Sequence, residues 1–99
     1  VMNGGDTEFI FLSACTSHGY GMRLKQMGFV VVCWLTRVND DAAQPFATAF
    51  YKARVKNNAS WQAAFDCAVE EIESQNFQLV DPDIVKTKYA AGIPKLLIP

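Results

Sequence analysis

The chain has 99 residues, room for one modest domain with its own core. Apolar residues make up 51% and charged residues 19%, which excludes a disordered tail. A formal net charge of -1 gives no strong field for nucleic acid or an anionic membrane, and no apolar run reaches the roughly 18 residues of a bilayer span.

No nucleic-acid or membrane partner is therefore expected, and no signal-peptide pattern is present. The three cysteines are odd in number and share no disulfide or metal spacing. That usage fits a reducing, cytoplasmic compartment, with neither cofactor nor metal expected. Val1–Asp6 reads as a loop running straight into a buried strand, as in a piece of a longer chain.

Phe9–Ala14 is nearly continuously apolar, the pattern of a parallel-sheet strand covered on both faces. Cys15 follows at its C-terminal lip, where α/β folds keep their working groups. Ser17-His18-Gly19 is a turn, and a short helix follows with Tyr20, Leu24 and Met27 on one face. Gly28 fits its C-terminal stop. Phe29–Leu35 is a second doubly covered strand.

Asn39-Asp40-Asp41 opens a helix that either aspartate caps, and Pro45 is tolerable only near its first turn. Ala43, Phe46, Ala47, Phe50 and Tyr51 form its apolar stripe. Asn57-Asn58 breaks it. Ser60 caps another helix, with the stripe Trp61, Ala64, Phe65, Ala68, Val69 and Ile72. Gln75–Lys88 is weakly patterned, and Pro82 argues against a long element there. Ile93–Ile98 is a final strand; Pro94 confines it to a sheet edge or delays its start to Lys95. The order is β-α-β-α-α-β, in one domain spanning residues 1–99.

One ordered series runs through these elements. It is Leu12-Ser13-Ala14-Cys15, Gly28 with the valine strand, Trp34, Thr36, Val38, Asp40, Ala42-Ala43, Phe46, Phe50-Tyr51 and Ala63-Ala64-Phe65-Asp66-Cys67-Ala68. The series resembles the CHAT family, caspase-like domains often attached to tetratricopeptide repeats, over roughly residues 8–98. The resemblance implies the C-terminal half of a three-layer α/β/α fold with a mostly parallel six-stranded sheet and an antiparallel last strand. Phe9–Ala14 would be strand four, Phe29–Leu35 strand five and the C-terminal segment strand six.

The implied activity is cysteine-dependent peptide hydrolysis, with Cys15 as nucleophile and a protein or peptide substrate. The family's histidine follows strand three, beside a glycine, and so falls before Val1. The upstream part of the same domain is thus an implied partner, and the isolated chain is expected to be inactive. His18 does not match that histidine. Thr16 and Ser17 stand where the family often has an acidic residue and a glycine. Tyr89-Ala90-Ala91 resembles its closing aromatic-Ala-Ala motif, from which Pro94 departs.

Other candidates have plainer readings. Cys15 needs a base or another source of activation, and a buried cysteine is otherwise a small hydrophobe. Cys15-x-x-His18 offers two metal ligands where zinc usually takes at least three from the protein. Ser13 lacks the glycine-flanked elbow of a hydrolase serine. Gly4-Gly5 and Gly19/Gly21 lack the rest of a phosphate loop. No Cys-x-x-Cys marks a redox thiol protein.

Asp40 and Asp41 read as helix-capping acids. In caspase-like folds, however, the loop after strand five lines the substrate groove. Trp34, Thr36, Arg37 and Asp40 are therefore substrate-binding candidates, Arg37 for an acidic substrate residue and Asp40 for a basic one. A non-catalytic homologue using the fold as an interaction or switch module is the alternative. Without strand three, Phe9–Ala14 would have an open edge. Either it self-associates there, or the N-terminal residues or Gln75–Lys88 cover it.

Overall fold

The computed structural model of the chain describes residues 9–12 and 15–99. The expectations for residues 1–8, including a covering role, and for Ser13 and Ala14 lie outside the described residues. Six elements follow in the anticipated order: β1 (Phe9–Phe11), α1 (His18–Gln26), β2 (Val30–Trp34), α2 (Asp40–Val55), α3 (Trp61–Ser74) and β3 (Pro94–Leu97).

The sheet order is β1-β2-β3. β1 pairs parallel with β2, Phe9 opposite Val30, and β3 pairs antiparallel, Leu97 opposite Val31. The sheet is thus mixed. Every residue of β2 is buried. Because successive side chains alternate across a sheet, β2 must be covered twice. Val32 and Trp34 join the core built by α2 and α3, with Phe9, Phe11 and Leu96 against it. Val31, Cys33 and Leu97 form a second cluster with Met22 and Leu24 of α1. Helices therefore cover both faces.

The short α1 departs from its expected face. His18 and Gly19 belong to the helix rather than to a preceding turn. Tyr20 and Met27 are 60% and 70% exposed, and the residue turned to the sheet is the buried Gly21. The stop is as expected. Gly28 has φ +96°, its N–H donates to Lys25 O (2.9 Å), and Phe29 N–H donates to Leu24 O (3.2 Å). Both bonds satisfy last-turn carbonyls, and Phe29 and Leu24 each pack against the Val31, Cys33 and Leu97 cluster.

In α2 the cap is Asn39, not an aspartate. Its side chain accepts the Asp41 N–H at 2.9 Å. Asp40 and Asp41 occupy the first turn, where carboxylates suit the helix dipole. The buried stripe is Ala42, Phe46, Phe50 and Ala53, and Tyr51 is exposed. Pro45 lies within the helix. In α3, Ser60 Oγ accepts the Ala63 N–H at 3.1 Å, and Ala64, Ala68 and Ile72 face inward.

Residues 75–93 hold no long element, only a parallel bridge between Gln78 and Ala90. Pro94 opens β3 at the edge of this sheet, where its missing N–H costs no ladder bond.

Candidate functional site

The site gathers on residues 35–39, the loop leaving β2. Cys15 is exposed and sits in the turn between β1 and α1. Thr16 adopts φ +53°, a conformation uncommon for a threonine, and its N–H donates to Thr36 O at 2.9 Å. Ser17 is buried, and its Oγ accepts the Trp34 N–H at 3.0 Å. These two bonds tie the turn to β2 and its loop.

The thiol contacts one residue by hydrogen bonding among the described residues. Val38 N–H donates to Cys15 Sγ at 3.3 Å, and the S–H is directed at Val38 O across 3.9 Å. His18 begins α1 and is not one of these partners. The Thr16 amide, the backbone donor next to the cysteine, is committed to Thr36.

The opposite side of the loop is stitched to the segment before β3. Leu35 N–H donates to Ile93 O (2.8 Å), and Asn39 N–H donates to Ala91 O (2.9 Å). Ile93 N–H donates to Thr36 Oγ1 (3.0 Å), which itself donates to Arg37 O (2.8 Å). Asn39 Nδ2 reaches Lys88 O at 3.0 Å. Gly92 has φ +109°, and a Cβ there would lie 2.5 Å from Arg37 O.

Between the loop and this segment lies a cleft of about 490 Å³, walled by residues 37–41 on one side and Pro82, Thr87 and Ala90 on the other. Arg37 and Asp40 line it. Arg37 Nε also lies 3.6 Å from Asp83 Oδ1, an exposed pair. Trp34 and Thr36 are not part of the lining. Trp34 is fully buried, its ring 5.4 Å from that of Phe46. It presents no surface to a ligand, because this end of β2 is roofed by α2. Its Nε1 has no hydrogen-bond partner among the described residues. The Thr36 hydroxyl is engaged within the protein.

Ser17, Gly92 and the far wall of the cleft were not singled out by sequence. A glycine between Ala91 and a proline-bearing strand is the one signal that points to a close approach. Among the described residues, no three His, Cys, Asp or Glu side chains gather as a metal site. No helix among them is long and apolar enough to cross a membrane.

Compared with known proteins, the chain matches no family model, no curated protein and no solved structure.

Proposed function

We propose that the chain is the C-terminal segment of a caspase-like domain of CHAT type, with Cys15 the nucleophile of peptide hydrolysis by the complete protein. The observation that carries this reading is the Val38 N–H to Cys15 Sγ contact of 3.3 Å. It sets an exposed thiol, at the C-terminal end of a parallel strand, against the loop that opens the cleft. The antiparallel last strand and the helices on both faces agree with it.

In this reading the sulfur attacks the scissile carbonyl carbon. An upstream histidine takes the thiol proton and returns it to the leaving amine, and water releases the acyl group from sulfur. The cleft holds the substrate residue before the cut, with Arg37 and Asp40 at its wall. The three cysteines are free, and we place the protein in the cytoplasm.

One observation favours a second reading, a non-catalytic module of the same fold. The Thr16 N–H, bonded to Thr36, is not available to an oxyanion. Labelling separates the two. A peptidyl acyloxymethyl ketone offered to the complete protein should mark Cys15 and be displaced by peptide substrate. Labelling of Cys15 no faster than of exposed Cys67, with no competition, would reject the nucleophile.

A further inference from the structure

The amide that faces Cys15 belongs to the peptide unit joining Arg37 to Val38. A trans peptide is planar, with its C=O and N–H pointing opposite ways. One end of this unit is the Val38 N–H, 3.3 Å from Cys15 Sγ. The other end is the Arg37 carbonyl, which accepts the Thr36 hydroxyl at 2.8 Å. Any rotation of the plane moves both ends together.

Two further contacts hold the carbonyl end. Thr36 Oγ1 accepts the Ile93 N–H at 3.0 Å, so the hydroxyl cannot turn away without breaking that bond. Gly92 backs onto Arg37 O so closely that a Cβ would stand 2.5 Å from it and 3.2 Å from Thr36 Oγ1. A side chain at position 92 would have to displace the carbonyl. The Thr36 carbonyl adds a second tie by accepting the Thr16 N–H, next to the cysteine, at 2.9 Å.

We propose that Thr36 and Gly92 are positioning residues for the Cys15 thiol, acting through the Arg37–Val38 peptide plane. The segment entering β3 thereby sets where the sulfur stands, although its own residues are far from Cys15 in sequence. This rests on the reading of Cys15 as nucleophile for its importance to catalysis, but the coupling is measurable without catalysis.

The test uses the 99-residue chain. Thr36→Val removes the hydroxyl and keeps the shape, and Thr36→Ser keeps the hydroxyl. In folded Thr36→Val, the Val38 amide should exchange with solvent about tenfold faster than in the parent. Its Cys15-to-Cys67 ratio of iodoacetamide rates, read by mass spectrometry, should change by about threefold. Thr36→Ser should restore both. A folded Thr36→Val unchanged in both overturns the proposal.

A measurement on the unsubstituted chain covers a variant that fails to fold. Coupling is reciprocal, so alkylating Cys15 should shift the amide resonances of Val38 and Gly92 and the methyl resonance of Thr36. Movement of Val38 alone overturns the proposal. Peptide cleavage by the complete protein reports separately. Intact coupling without cleavage removes the nucleophile and keeps the relay, and Cys15-dependent cleavage without coupling does the reverse.

Discussion

A Cβ built on Gly21 would stand 3.0 Å from Cys33 Sγ and 3.2 Å from Leu97 Cδ1, so α1 meets the sheet through a residue with no side chain. Replacing a helix-interior glycine by alanine ordinarily stabilises by about 1 kcal/mol. Here the methyl must push against a strand. Overpacking of this kind costs about 1–3 kcal/mol, so Gly21→Ala should be net destabilising by about 1 kcal/mol. In a Cys33→Ala background, which removes Sγ but leaves Leu97 in place, the cost of the same substitution should shrink. Urea denaturation of the four proteins of this cycle measures the coupling, and additivity would refute the contact.

Cys33 also predicts a pH dependence. Burial pushes its thiol from the ordinary 9.0 up to about 11, with Lys95 pulling part of the way back. The fold prefers the neutral thiol, whereas the unfolded chain ionises it near 9. This contribution is complete below pH 9.0 and is lost as the pH rises toward about 11. The stability advantage of the parent over Cys33→Ala should shrink across that window by about 1–2 kcal/mol, solvent screening taking up the rest of the shift. Comparing the two proteins cancels lysine and tyrosine titration, and a constant difference would contradict the prediction.

Ser17→Ala should cost about 2 kcal/mol, because it strands the buried Trp34 N–H at the end of β2. The urea midpoint should fall with an unchanged slope. A loss below about 0.5 kcal/mol, typical of surface substitutions, would show that the bond contributes little.

The legible parts of this fold are those where one local signal decides. Five apolar residues in a row mark β2 as covered on both faces, the glycine at position 28 takes φ +96° cheaply, and Ser60 caps α3. Cys15 was legible at its strand end for the same reason. The inward face of α1 was not, since it depends on how closely Gly21 fits Cys33 across the sheet. Nor was the α2 cap, because asparagine and aspartate cap equally well and only backbone register chooses. Trp34 is a groove candidate only through the resemblance, and nothing local to it declares that α2 roofs this end of β2. The far wall of the cleft comes from residues 82–90, which have no periodicity to read.

The edge of β1 supplies a further prediction. Among the described residues β1 pairs only with β2, and Phe9 stacks on Phe50 and Trp61 at 5.0 and 5.2 Å. The Gln75–Lys88 segment is tied instead to residues around Asn39 and Ala90–Gly92. We propose self-association of the isolated chain through this edge. Sedimentation should show a concentration-dependent dimer, and Ile10→Lys, which places a charge on the strand, should weaken it about tenfold. A monomer at all concentrations would contradict it.

The direct measurement of the Cys15 thiol's role is peptide cleavage by the complete protein and by its Cys15→Ala variant, each shown to be folded. Loss of cleavage by about a thousandfold or more is predicted, as for removal of a nucleophile. Cleavage by Cys15→Ala at the parent rate would rule out Cys15 as the nucleophile.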